Sequence, residues 1–319
     1  MLCKNPYMKD AVPFGCGQCQ PCRVNKRRLW THRIMQESMC HEDNAFITLT
    51  YDNENLPQCG TLVPEHLRNW QKNLRYHSGV DLRFFSVGEY GEQTQRPHYH
   101  AAVFGFKGCA SLNPKCPCIY CKTLRASWKK GHVLNGTLSK DSASYIAGYV
   151  TKKMTDRYPQ EKYEQLLKKG KNKLAQEYKT RVIDTLQGRH PEFARMSNRP
   201  GIGAPAIPTI MDMLETDHGC DLISELNDAP DIIKIGGQEM LLGSYLKNKL
   251  RERIGIDEKT KEKKLSQLRK EKIEEYLSYR EETHFTEALS QKEFLIDKHK
   301  QKVRNLEKRL SFKHQKGEL

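Results

Sequence analysis

No apolar run in the chain approaches the length needed to span a bilayer, and the opening Met-Leu-Cys-Lys-Asn-Pro lacks the apolar core of a signal peptide. Both absences argue against a membrane or secreted protein, and a cytosolic one is expected. An even set of cysteines is missing as well. The eleven cysteines are odd in number, and without a secretion signal, reduced thiols and metal ligands are expected in place of a disulfide framework. Acidic residues are sparse where basic ones are dense. Residues 1–205 carry 32 Lys+Arg against 17 Asp+Glu, 206–246 carry 1 against 8, and 247–319 carry 21 against 14. The formal net charge of +15 therefore resides in the first two thirds of the 319 residues. A basic block of that size favours a polyanionic partner, nucleic acid above all, over a generically basic soluble protein. The length suits a main domain with appendages.

The most informative stretch is Arg96 to Gly105, Arg-Pro-His-Tyr-His-Ala-Ala-Val-Phe-Gly. Pro97 biases the chain before it to extended geometry, and the apolar run Ala101–Phe104 ending at glycine reads as a buried strand. Residues two apart on a strand share a face at roughly 7 Å between Cα atoms, so His98 and His100 are able to converge on one ion while Tyr99 points into packing. Leu82 to Tyr90 is rich in residues that suit strands, and the polar Gly91 to Gln95 reads as the turn of a hairpin. A turn centred near Gln93 and Thr94 sets Glu89 opposite His98, and cross-strand partners share a face. Glu89, His98 and His100 then form a two-histidine, one-carboxylate site with open positions. The plainer reading is that the histidines only hydrogen-bond at a strand end.

Before this hairpin, Cys16-Gly-Gln-Cys19-Gln-Pro-Cys22 places three thiols at two-residue spacing, with Cys3 as a fourth; such a set wraps a tetrahedral structural zinc with no open position. Arg23, Lys26, Arg27, Arg28 and Arg33 follow on a helix whose Val24, Trp30, Ile34 and Met35 fall on one side, an arrangement suited to phosphate contact or simply to solvent. Asn44 to Tyr51 alternates as a half-buried strand of the same sheet. Pro64 opens a helix with Leu67, Trp70 and Leu74 at core spacing before Gly79. Cys109, Cys116, Cys118 and Cys121 form a possible second zinc loop in what reads as an insertion, and Trp128 to Leu134 resumes a strand. Asp141 or Ser142 caps the next helix, on which Tyr145, Tyr149 and Lys152 recur at helical spacing on one face. The apolar face of that helix is supplied by Ile146, Val150 and Met154, so the tyrosine face with its lysine favours function over core.

The strand Ile-Thr-Leu-Thr-Tyr, then Val-Gly-Glu-Tyr-Gly, Arg-Pro-His-Tyr-His and Tyr-Ile-Ala-Gly-Tyr-Val-Thr-Lys-Lys, in that order, resembles the HUH endonucleases of rolling-circle replication. More narrowly it is similar to the replication initiation proteins of gokushovirus-type microviruses. The early Cys-Gly-Gln-Cys-x-x-Cys and the segment Glu192 to Gly203, Glu-Phe-Ala-Arg-Met-Ser-Asn-Arg-Pro-Gly-Ile-Gly, fit the same family. The resemblance covers about residues 3 to 203, and the Cys109 to Cys121 cluster is not part of it. It implies an α+β fold with a central antiparallel sheet and flanking helices, a catalytic Mg2+ or Mn2+ at Glu89, His98 and His100, and nucleophilic Tyr145 and Tyr149. It further implies a strand-specific nick at a phage origin, single-stranded or supercoiled duplex, by attack on a metal-bound phosphodiester. A 5′-phosphotyrosine link, a 3′-OH primer and later rejoining to circular single-stranded DNA follow, with host helicase and polymerase as partners in the cytoplasm of an infected bacterium. Lys152 is expected to offset charge at the site, and Arg23, Lys26, Arg27, Arg28 and Lys153 to contact DNA.

The organisation expected is a zinc loop and basic helix over 1–40, the endonuclease domain over 41–205, an acidic linker over 206–246 marked by Pro205, Pro208 and a Gly236-Gly237 turn, and a charged helical region over 247–319. In the last, Leu289, Ile296, Val303 and Leu310 recur seven apart, but Lys292 and His299 spoil a full coiled-coil seam, which favours a solvated helical pair. Two other functions fit: a plasmid mobilisation relaxase, although its tyrosine usually precedes the histidine motif, and a non-catalytic, zinc-stabilised DNA-binding or packaging protein.

Overall fold

The computed structural model describes Cys3, residues 6–9, 12–91, 93–152, 159–179, 188–226 and 228–256, and scattered positions between 270 and 304. In chain order the elements are β1 (Tyr7–Lys9), β2 (Val12–Phe14), α1 (Gln20–Ser38), β3 (Asn44–Tyr51), α2 (Pro64–Ser78), β4 (Arg83–Tyr90), β5 (Pro97–Phe104), α3 (Ile119–Ser127), β6 (Gly131–Thr137) and α4 (Lys140–Lys152). There follow α5 (Pro159–Lys168), α6 (Asn172–Tyr178), β7 (Phe193–Met196), α7 (Ile207–Leu214), α8 (Asp217–Leu226), β8 (Ile232–Ile235), β9 (Gln238–Leu241) and α9 (Gly243–Ile254). Two compact units result, Trp30–Pro208 and Met1–Leu29 with Thr209–Leu319.

The first of these units is organised on a five-stranded sheet of order β6-β3-β5-β4-β7, antiparallel at every pairing. β5 lies at its centre with both faces covered, which is why its sequence becomes an unbroken apolar run after His100. One face packs Ile47, Leu49, Phe84, Tyr99 and Val103 against Leu67, Trp70 and Leu74 of α2 and Leu124 of α3. The other packs Phe85, Val87, Ala102 and Phe104 against Ile34 of α1 and Ile146 and Ala147 of α4, with Ile202. The mixed α+β architecture with helices on an antiparallel sheet is the one expected. Leu67, Trp70 and Leu74 are buried as their spacing predicts, each worth roughly 1.5–3 kcal/mol in removal of apolar surface from water. Gly79 ends α2 at φ 67°, donating its N–H to the Arg75 carbonyl.

Within this unit Glu37, fully buried, accepts from Arg83 Nε and from Gly203 N (2.6 Å) and lies 3.4 Å from His41 Nε2. Burial pushes its carboxyl up, but these partners outweigh that and hold it below the usual carboxylate range. Several details differ from the sequence reading. Ser139, ahead of Asp141 and Ser142, caps α4: its hydroxyl accepts from Ser142 N at 3.2 Å and its carbonyl from Ala143 N. Arg33 is turned inward, giving two hydrogen bonds to the Ile202 carbonyl (3.0 and 2.8 Å) and lying over the Trp30 ring.

In the second unit α1 starts at Gln20, so Cys22 sits in its first turn, and Val24 is exposed rather than on the apolar side. Residues 206–246 do not form a linker. Ile207, Ile210 and Leu214 are buried on α7, and β8 and β9 pair through a turn at Gly236 and Gly237, both at positive φ. The acid residues that suggested a linker serve local structure: buried Asp228 is held by Arg251 (2.7 Å) and Lys247 (3.0 Å) of α9. No described helix is long and apolar enough to cross a membrane. Leu289, Ile296, Val303 and Leu310 lie outside the described residues.

Candidate active site

The hairpin β4–β5 pairs Glu89 with His98 and Tyr90 with Pro97. Glu89, His98 and His100 stand on the sheet face that α4 covers, with ligand atoms all within 4.8 Å of one another. Glu89 Oε1 lies 2.6 Å from His98 Nε2 and 3.1 Å from His100 Nε2. The other ring nitrogens are engaged from behind: His98 Nδ1 faces the Arg96 carbonyl at 3.1 Å, and His100 Nδ1 faces Thr48 Oγ1 at 2.9 Å. Phe46 stacks on His100 with ring centroids 5.5 Å apart. Both Nε2 atoms are thus aimed at one point by partners of the kind that orient metal-binding histidines. Glu89 Oε2 is buried and has no hydrogen-bond partner. A buried, unmatched carboxylate oxygen is costly on its own, and it is the donor a divalent ion would take; the residues fit an ion.

The electrostatics of the three groups are shared. Burial pushes the Glu89 carboxyl up, but hydrogen bonds from His100, His98 and Tyr149 more than reverse this and hold it well below the ordinary range. For His98, burial disfavours the charged ring, while the bond to Glu89 and its charge, the Arg96 carbonyl and the charge of Glu192 raise it overall.

α4 brings the two tyrosines to this triad. The Tyr145 hydroxyl donates to Glu89 Oε1 at 2.7 Å, and the Tyr149 hydroxyl donates to that of Tyr145 at 3.2 Å. Tyr145 meets His100 edge-on at 5.2 Å and is 42% exposed. Burial, then the neighbouring Glu89 and Tyr145, push the Tyr149 phenol far above its usual value. Ile146 and Ala147 anchor the helix on the sheet beneath. Lys152 ends α4, but its side chain, and all of Lys153, lie outside the described residues.

Two four-cysteine sets complete the inventory, Cys3, Cys16, Cys19, Cys22 and Cys109, Cys116, Cys118, Cys121, each with Sγ atoms within 4.8 Å of one another. None is paired in a disulfide. Cys3 and Cys19 Sγ are 3.8 Å apart, and Cys109 and Cys116 Sγ are 3.7 Å apart. Zn–S bonds of about 2.3 Å in a tetrahedron require S···S edges of about 3.8 Å. In both sets a backbone N–H points at the sulfur three residues before, Cys19 to Cys16 and Cys121 to Cys118, each at 3.4 Å. The four-sulfur donor sets fit zinc. The second set also holds β6, since Asn135 Nδ2 donates both to the Lys107 carbonyl (3.2 Å) and to Cys121 Sγ (3.7 Å).

Residues 44–154, which contain the triad, both tyrosines and the second cysteine set, match the family model for replication-associated proteins of the ORF2 type. The chain belongs with the phage replication-associated proteins. It is 33% identical over 156 residues to Replication-associated protein ORF4 of Chlamydia phage 1, covering 45% of this chain and 39% of that one. Against Replication-associated protein VP4 of Bdellovibrio phage phiMH2K it is 31% identical over 156 residues, covering 44% and 49%. For Replication-associated protein ORF2 of Spiroplasma virus 4 the identity is 31% over 175 residues, covering 47% and 51%. The matches thus span about half the length of these curated relatives or less. No solved structure matches the chain. The microvirus-type resemblance read from the motifs is the relationship these comparisons find.

Among the expected DNA contacts, Arg23, Arg27 and Arg28 are exposed on α1 and Lys26 is half-buried. Three participants were missed in the sequence: Thr48, Phe46 and the Arg96 carbonyl. Thr48 was within reach, since it alternates with core residues on β3, but its partner is 52 positions away, and only the β3–β5 register, Thr48 with His100, joins them.

Proposed function

We propose that this chain initiates rolling-circle replication by cutting one strand of a phage origin with a tyrosine. The single observation that carries the reading is the unbroken hydrogen-bonded row Tyr149, Tyr145, Glu89, His98 and His100 on one sheet face. Glu89, His98 and His100 would hold a divalent ion, Mg2+ or Mn2+, which when bound polarises the scissile phosphate and offsets its developing charge. The protein's own residues do the rest. Thr48 and the Arg96 carbonyl fix the two rings, and Glu89 holds the Tyr145 hydroxyl beside them, where orientation replaces a chance encounter. The phenolic oxygen attacks phosphorus, the bond from phosphorus to the 3′ oxygen breaks, and the proton lost by the phenol ends on that oxygen. A 5′-phosphotyrosine and a free 3′-OH result, with no energy source consumed, so the reverse step reseals.

Tyr149, one helical turn along and bonded to Tyr145, supplies a second nucleophile for the regenerated origin, releasing a circle. Zinc at each four-cysteine set is structural in this account, a closed shell with no open position. The exposed arginines of α1 supply sequence-independent phosphate affinity, and action in the cytoplasm of a bacterial host, beside its helicase and polymerase, follows from the same role. Incubation of the chain with single-stranded origin DNA and Mn2+, then a denaturing gel, tests the reading. A band of protein bound covalently to DNA is expected, absent in His98→Ala and His100→Ala, which keep most DNA binding. Equal loss of binding and cutting in those variants would reject a catalytic role for the histidines.

A further inference from the structure

Glu192 has no part in the account so far. It lies one residue beyond the last registered pair of β4 and β7, Gly88 with Phe193, so the antiparallel continuation sets it beside Glu89. Neighbours along a strand point to opposite faces. Phe193 packs on the α2 side with Tyr99 and Gly88, which assigns Glu192 to the face of Glu89, His98 and His100. Its Oε1 accepts from Tyr90 N at 3.3 Å, and its Oε2 is buried without a hydrogen-bond partner. In a chain this rich in cations, no ion pair to Glu192 is found among the described residues. A carboxylate oxygen left so is expensive unless a charge comes to meet it. Glu89 Oε2 in the same row is in the same state. The seat is built for it: a Cβ on Gly88 would stand 2.8 Å from the Phe193 ring, so glycine there is what lets β7 close on β4 and bring Glu192 up to the row.

We infer that Glu192 is a positioning residue of the metal site, a second negative charge held outside the ligand triad that strengthens retention of a divalent cation. The inference rests on the proposed metal site. Glu89 alone leaves a divalent ion with excess positive charge among neutral rings, and an adjacent carboxylate offsets it without occupying a coordination position; outer groups of this kind commonly change metal affinity by about 10–100-fold.

The test is a Mn2+ titration of the full chain, with free ion followed by electron paramagnetic resonance and thermal melts taken without metal. Two substitutions separate charge from hydrogen bonding. Glu192→Gln keeps an acceptor for Tyr90 N and removes the charge; Glu192→Asp keeps the charge and shortens the reach. The inference expects Glu192→Gln to bind Mn2+ about tenfold more weakly with an unchanged melt, and Glu192→Asp to stay closer to wild type. Wild-type affinity in Glu192→Gln, or a loss in Glu192→Asp as large as in Glu192→Gln, overturns it and makes Glu192 a cap for Tyr90 N, while leaving the metal site intact. Should wild type show no Mn2+ binding that His98→Ala abolishes, the metal reading itself fails, and the inference with it.

Discussion

Replacing Thr48 by valine removes one hydroxyl and adds one methyl, so β3 keeps its shape and branching while His100 Nδ1 loses the partner at 2.9 Å. The cost falls in two places. In the folded protein a buried imidazole nitrogen goes unmatched, worth about 1–3 kcal/mol of stability. At the metal site the ring loses the bond that fixes its tautomer and aim, and loss of such a partner commonly lowers metal affinity about 10–100-fold, or roughly 1.4–2.7 kcal/mol at 1.4 kcal/mol per tenfold. Phe46 still stacks on the ring, so His100 is not released altogether and the lower end of that range is expected. Calorimetric Mn2+ titration of Thr48→Val beside Thr48→Ser measures the effect. Serine, which restores the hydroxyl, should recover most of the affinity. If valine binds Mn2+ as wild type does, the Thr48 hydroxyl does not orient a metal ligand, and the argument that both Nε2 atoms are aimed by their neighbours is wrong.

Glu37→Gln should destabilise the Trp30–Pro208 unit by about 3–5 kcal/mol, since it strands the Arg83 guanidinium; a denaturant midpoint close to that of wild type would contradict this. Because the folded carboxyl of Glu37 is held below its unfolded value, its contribution is complete above about pH 4.3 and is lost as pH falls below that. Acid melts should therefore show a decline in wild type that is reduced in Glu37→Gln. Protein purified without added metal should contain two tightly held zinc ions per chain, and Cys118→Ser should lose one of them and loosen β6, read as faster amide exchange at Asn135. Retention of both zincs by Cys118→Ser would remove the second cysteine set from the account.

The site was legible where its chemistry is local. His98 and His100 share a strand, and the short polar turn makes Glu89 opposite His98 a matter of counting. The helix carrying Tyr145 and Tyr149 shows its two faces in its spacing, and the cysteines announce themselves by theirs. What stayed hidden depends on pairing between distant segments. Thr48 meets His100 across 52 positions and Glu192 comes beside Glu89 across about a hundred, through registers that no local pattern encodes. β7 reads Phe-Ala-Arg-Met, half-buried throughout, with neither clean alternation nor an apolar run to mark it as a strand. Residues 206–246 were misread because their acidity suggested a linker, although Ile207, Ile210 and Leu214 recur at helical spacing and are buried.

The most direct measurement is to cut origin DNA with the wild-type chain, digest the covalent complex with protease, and locate the nucleotide by mass spectrometry. The account requires phosphotyrosine at Tyr145 or Tyr149, persisting at the other residue in each single Phe variant and absent from the double variant. An adduct at any other residue, or cleavage by the double variant, would contradict it.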